Sequence, residues 1–256
     1  MSRTYDTRDP DARARGIDDA VAAVQGGDLV VLPTDTVYGI GCDAFSAAVG
    51  QLLDAKGRGR DMPVPVLVGS WTGIDGHVDA VGPSARRLTE AFWPGALTLV
   101  VRHSRGLAWD LGDTDGTVAV RMPLHPVAIE VLRRTGPMGV SSANRSGQPP
   151  ATTAALARQQ LGDSVAVYLE AGDTGAPVPS TIVDCSTGGP PRVIRLGAVS
   201  LEQLRRIAPD VLGADGAAAP PPGAPPRPAG EPAPPAAPAE TEVDAAGLGG
   251  SRATER

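Results

Sequence analysis

The sequence predicts an α/β fold, a twisted and open mixed sheet flanked by helices, and three observations lead there. Helical and strand-like patches alternate from Ile17 to Ile207. The strand-like runs are short and apolar, and the polar turn-forming stretches gather where those runs end, the place where open α/β sheets put their ligands.

The elements follow in order. Ile17, Ala20, Val21 and Val24 share one helical face, which Gly26 and Gly27 stop before a short buried strand over Leu29–Leu32. Further helix signals follow Ser46 and Ser84, and others run over Pro126–Arg134, Thr153–Leu161 and Ser200–Ile207. Strand-like runs lie at Val64–Val68, Leu97–Arg102, Thr117–Arg121, Gly139–Ser141, Val165–Leu169, Ser180–Asp184 and Arg192–Leu196. No internal repeat interrupts the alternation.

The folded part is expected to span residues 1–213. Beyond it, ten of the 26 prolines fall between Pro220 and Pro238, and Val243 and Leu248 are the last large apolar residues. So little apolar surface does not offset the entropy of ordering, and residues 214–256 read as a disordered Pro/Ala/Gly-rich tail.

Bulk properties exclude several classes. A net charge of −6 repels polyanions on average, so strong general RNA binding is disfavoured and any nucleotide must meet a local basic surface. Cys42 and Cys185 have no CxxC or Cys/His spacing, and read as reduced, buried thiols. The first residues lack the apolar centre of a leader, and no run approaches the ~18 apolar residues of a membrane span. The cytoplasm is the expected location.

The chain has 22 arginines and a single lysine, Lys56, close to Arg58 and Arg60. An ammonium kept beside guanidinium groups suggests distinct tasks on one polyanion, with phosphate the first candidate, although a solvated basic turn has the same composition. Four polar clusters stand at strand ends: Pro33-Thr34-Asp35-Thr36, Arg121-Met122-Pro123, Ser142 to Gly147, and Ser180-Thr181. Thr34 and Thr36 could face a small polar substrate, with Gly39 and Gly41 allowing close backbone approach; local backbone bonding is the competing reading. The run Ser141 to Thr152 is dense in small donors and acceptors suited to phosphate, ribose or a carboxylate, but it is neither GxxxxGK[ST] nor GxGxxG. His77, His103 and His125 fit loop and capping roles, and Trp71, Trp93 and Trp109 fit packing. Neither a Ser/His/Asp triad nor a nucleophile elbow is present in the spacing.

Taken together, seven blocks in one order resemble the YrdC-type threonylcarbamoyl-AMP synthase family: Pro33–Gly39, Lys56-Gly57-Arg58, Phe92–Thr98, Val118–Pro123, Ser141–Gly147, Ser180–Asp184 and Val193-Ile194-Arg195. The resemblance implies a large concave cavity and an enzyme that condenses L-threonine, bicarbonate or CO2, and ATP into L-threonylcarbamoyladenylate and diphosphate. It implies that Thr36, Arg121, Ser142 and Ser180 bind threonine. It assigns Lys56, Arg58, Met62, Thr117, Asn144, Thr152 and Arg195 to ATP, with Mg2+ held through the phosphates. Downstream tRNA threonylcarbamoyl-transfer proteins are the implied partners, and weak tRNA contact is compatible with the reading.

Two departures from the family pattern are visible. Leu67 stands near the position where long members carry a His, and the proline-rich tail stands where they carry a second globular domain. Within the same fold, carbamoyl-transfer modules of hydrogenase maturation are a competing resemblance, but they carry additions this chain lacks. The alternative of another class is a double-stranded RNA or tRNA-binding module without synthase activity.

Overall fold

The computed structural model describes residues 1–216 except 75, 80, 105, 108 and 177. One sheet of ten strands organises them: β1 (Arg3–Asp6), β2 (Val30–Leu32), β3 (Gly39–Asp43), β4 (Val66–Leu67), β5 (Leu97–Arg102), β6 (Thr117–Arg121), β7 (Met138–Ser142), β8 (Val167–Glu170), β9 (Thr181–Asp184) and β10 (Arg192–Arg195). Their spatial order is β1-β8-β2-β3-β7-β4-β6-β5-β9-β10. The sheet is mixed: β1/β8, β2/β8, β4/β6 and β5/β9 run parallel, and the remaining neighbours antiparallel. Six α-helices flank it: α1 (Pro10–Gln25), α2 (Ala48–Lys56), α3 (Pro83–Phe92), α4 (Pro126–Thr135), α5 (Ala154–Leu161) and α6 (Leu201–Ile207). Among the described residues no helix is long and apolar enough to cross a membrane.

Successive residues of a strand face opposite sides of the sheet, and the two sides here have separate cores. On β2 and just before it, Val31 and Leu29 join the core built with α2, α3, α5 and α6, whereas Val30 and Leu32 join the core built with α1 and α4. Ile17, Ala20, Val21 and Val24, the face read from the sequence, pack with Val127, Ala128, Val131 and Leu132 of α4.

The structure adds to the expected elements in three places. Strand β1 pairs with β8 at the sheet edge although Arg-Thr-Tyr-Asp has no alternation of apolar residues. Helix α1 begins at Pro10, seven residues before the apolar stripe, because the Asp9 side chain accepts from the Ala12 amide at 2.7 Å and Pro10 suits the first turn. Strand β3 begins inside the stretch Pro33–Gly41, which reads as a turn-rich strand exit. Its glycines serve the sheet: a Cβ at Gly39 would stand 2.6 Å from Val140 Cγ1, and one at Gly41 2.9 Å from Val140 Cγ2. Close passage of β7 accounts for both, and Gly39 also lines the cavity described below.

Cys42 is buried and Cys185 half-buried, and both are free thiols whose pKa burial pushes up to about 12. His125 caps α4, its Nδ1 accepting from the Val127 amide at 3.3 Å. Trp93 packs inside and donates to the Leu97 carbonyl at 2.7 Å, while Trp71 is exposed against it. Residues 214–216 are described, and the Gly216 amide donates to the Gly213 carbonyl at 2.9 Å. The expected tail from residue 217 onward lies outside the described residues.

Candidate active site

Helices α1 and α4 cover only part of their side of the sheet. Over β6, β5 and β9 the same side is bare, and strand alternation decides what it presents. Leu97 and Leu99 of β5 enter the opposite core, as do Val118 and Val120 of β6 and Val183 of β9. Their neighbours Thr98, Thr117, Ala119, Arg121, Ser180 and Ile182 therefore face outward, and they form the floor of a cavity of about 690 Å3. Loops complete the walls: Thr34 and Thr36 after β2, Arg58 and Pro63 before β4, Asp113 to Asp115 before β6, Ser141 and Ser142 at the end of β7, and Arg195 on β10.

Seven of the eleven residues singled out from the sequence line this one space: Thr36, Arg58, Thr117, Arg121, Ser142, Ser180 and Arg195. Arg121 is buried, and its Nε donates to the Gly95 carbonyl at 2.9 Å, its Nη1 to Thr36 Oγ1 at 3.0 Å and its Nη2 to Asp35 Oδ1 at 2.6 Å. Arg58 Nη1 donates to Ser141 Oγ at 2.9 Å, and its Nε is buried without a partner. Arg195 Nη2 donates to the Ser180 carbonyl at 2.8 Å, and Ser180 Oγ lies 2.8 Å from Thr98 Oγ1.

Burial lowers the pKa of all three guanidinium groups, with Asp35 opposing the shift at Arg121 and Asp61 opposing it at Arg58. Desolvated cations with unused N–H donors favour an anionic ligand, in a chain whose net charge is −6. The acidic side chains in the lining are Asp113 and Asp115. Leu67 lines the cavity, directly opposite Arg121 in the β4/β6 register, and no histidine joins the lining among the described residues.

Lys56, Met62, Asn144 and Thr152 are not among the cavity-lining residues. Lys56 is 2% exposed, and its Nζ donates to the Asn144 carbonyl at 2.7 Å and to the Ser142 carbonyl. It ties the end of α2 to the loop after β7 instead of standing free in the cavity as a phosphate cation. Asn144 Nδ2 donates to the Arg145 and Gln148 carbonyls at 2.9 and 2.8 Å, and Oδ1 is buried without a partner. Met62 is exposed at 44%, and the Thr152 carbonyl accepts from the Thr174 amide at 2.9 Å.

Sequence reasoning passed over Asp35, Thr98, Asp113 and Asp115. A lone hydroxyl inside the apolar run Leu97–Val101 was the available signal for Thr98, and Asp35 stood inside the polar cluster after β2; Asp113 and Asp115 carried none. The wall near Ser180 is tight: a Cβ on Gly197 would stand 2.1 Å from the Pro179 carbonyl oxygen and 2.7 Å from the Ser180 carbonyl carbon. Backbone cannot rotate away as a side chain can, so Gly197→Ala is expected to displace Ser180 and lower the melting temperature, with a stability loss of about 2 kcal/mol or more by thermal denaturation.

Residues 22–197 match the Sua5/YciO/YrdC family model, described as telomere recombination. The chain is 62% identical over 218 residues to a putative threonylcarbamoyl-AMP synthase of Mycobacterium tuberculosis, covering 85% of this chain and 98% of that protein. It is 35% identical over 202 residues to the threonylcarbamoyl-AMP synthase of Bacillus subtilis, covering 73% of this chain and 55% of that longer protein. Among solved structures, Pyrococcus abyssi Sua5 complexed with L-threonine superposes with a TM-score of 0.73 at 32% identity, covering 77% of this chain and 58% of that one. The chain thus spans a little over half the length of the Bacillus and Pyrococcus proteins, and nearly the whole of the mycobacterial one.

Proposed function

The chain belongs to the Sua5/YciO/YrdC family, and from that membership we propose that it is an L-threonylcarbamoyladenylate synthase, joining L-threonine, bicarbonate or CO2, and ATP with release of diphosphate. The observation that carries the reading is the convergence of Arg121, Arg58 and Arg195 with the Thr36, Ser142 and Ser180 hydroxyls in one cavity. The solved relative bound to L-threonine supports the amino acid as substrate.

In this reading Arg121 holds the threonine carboxylate through N–H donors not used within the fold, and nearby hydroxyls recognise the substrate's polar groups. The amine adds to CO2, forming a C–N bond and releasing a proton. The resulting carbamate oxygen attacks the α-phosphorus in line, and the bond to diphosphate breaks. Arg58 and Arg195 offset charge on the triphosphate, so the protein's contribution is positioning and electrostatics and no side-chain nucleophile is needed. Mg2+ would arrive with ATP, held through phosphate oxygens and water, and would neutralise phosphate charge; Asp113 and Asp115 are the carboxylates in the cavity lining that could meet its water shell. The product would pass to tRNA threonylcarbamoyl-transfer proteins.

The test is mass-spectrometric detection of threonylcarbamoyl-AMP from purified protein with ATP, threonine and bicarbonate, beside RNA filter binding. Product formed only when all three substrates are present is the expected result. RNA retention without product, or without threonine-dependent ATP–diphosphate exchange, would establish the binding-module reading instead.

A further inference from the structure

We propose that Asp35 is a positioning residue, whose carboxylate sets the plane of the Arg121 guanidinium and with it the carboxylate-binding end of the cavity. The inference deepens the synthase reading and rests on it for the identity of the ligand. Asp35 lies in the turn after β2, between Thr34 and Thr36, and is 15% exposed against 7% for Arg121. One oxygen, Oδ1, accepts from Arg121 Nη2 at 2.6 Å and from the Leu124 amide at 2.8 Å, so it joins the turn after β2 to the segment after β6.

A guanidinium has five N–H donors. Here the Gly95 carbonyl takes the one on Nε, Thr36 Oγ1 takes one on Nη1 and Asp35 takes one on Nη2. One N–H on each terminal nitrogen remains for a ligand. The direction of the hydroxyl chain is settled by its far end: Thr34 Oγ1 donates to the Val37 carbonyl at 2.6 Å, so it must accept in its 3.0 Å contact with Thr36 Oγ1. Thr36 therefore gives its proton to Thr34 and is left to accept from Arg121. Gly95 and Thr36 anchor two nitrogens through neutral acceptors. Asp35 is the charged anchor, on the third nitrogen, and charge-assisted bonds are the stronger kind. Without it Nη2 has no partner on this side, and the plane is free to tilt.

The experiment uses the full chain with Asp35→Ala and Asp35→Asn, reading KM for threonine and for ATP, kcat, and the NMR signals of the Arg121 side-chain N–H groups. Misplacement of a binding group costs up to about a hundredfold; Asp35→Ala is expected to raise the threonine KM by about tenfold or more, with the ATP KM within about twofold. Asp35→Asn keeps an oxygen for Arg121 and for Leu124, and is expected to return the threonine KM to within about threefold of wild type. Equal rises in both KM values, no rise in either, or an Asn variant as poor as Ala would overturn the proposal. Should wild type show no threonine-dependent turnover, the synthase reading fails, and the Arg121 signals still decide this one. Hindered rotation in wild type and Asp35→Asn but free rotation in Asp35→Ala supports positioning, and identical signals in all three refute it.

Discussion

Arg121→Ala is expected to weaken L-threonine binding by about two orders of magnitude, with ATP affinity held within about threefold. Removing one partner of a buried, hydrogen-bonded charge pair costs about 2–5 kcal/mol, and each 1.4 kcal/mol is about a factor of ten. Arg121 is a buried part of the cavity floor and makes three hydrogen bonds, so the substitution strips the ligand's cation and also leaves Asp35 facing an empty space. A lower melting temperature is expected alongside the affinity loss. Arg121→Lys restores charge without the planar fork and is expected to recover only part of the binding. Separate calorimetric titrations of threonine and ATP make the check, and matching losses in the two would contradict the assignment of Arg121 to the amino acid.

Lys56→Met is expected to destabilise the fold by about 2–3 kcal/mol, a fall of roughly 4–12 °C in melting temperature for a protein of this size. Methionine keeps most of the stem's volume, so the loss isolates the amino group's donated hydrogen bonds. Its two acceptors are the Ser142 and Asn144 carbonyls; Ser142 retains the Asn144 amide at 2.9 Å, whereas the Asn144 carbonyl loses the Lys56 donor. The pH dependence has a definite sign. Burial, and then the Arg58 charge, lower the Lys56 pKa from 10.5 to about 8. Between those two values the unfolded chain keeps a proton that the folded chain has released, so wild-type stability should rise relative to Lys56→Met as pH climbs from 8 to 10.5, and the difference should be flat below 8. Chemical denaturation at several pH values tests this. If Lys56 acted only as a phosphate cation, stability would be unchanged and ATP affinity alone would fall.

These expectations depend on residues of differing legibility. All six helices were readable, because an apolar stripe at helical spacing or a cap such as Ser200 or Thr153 is local information. The eight strands with apolar runs were readable for the same reason. Strands β1 and β3 were not: β1 is held by an edge pairing with β8, far along the chain, and β3, although it pairs with nearby β2, has glycines in place of apolar side chains where Val140 of distant β7 passes. At the site, Arg121 and Ser180 stood out as polar groups at strand ends. Lys56 stood out too, but its task could not be read, because the carbonyls it binds lie 86 and 88 residues away.

By itself the sequence determined the alternation of helices and strands, the apolar faces that build two cores, the excess of arginine over lysine and the ordered series of polar motifs. Each is set by a residue's own chemistry or by its near neighbours. The tertiary structure alone decided which side of β5, β6 and β9 stays bare, which of the chosen cations reaches that space, and that Asp35 is tied to Arg121. Those outcomes come from strand order, and strand order brings together groups whose separation along the chain carries no record of their contact.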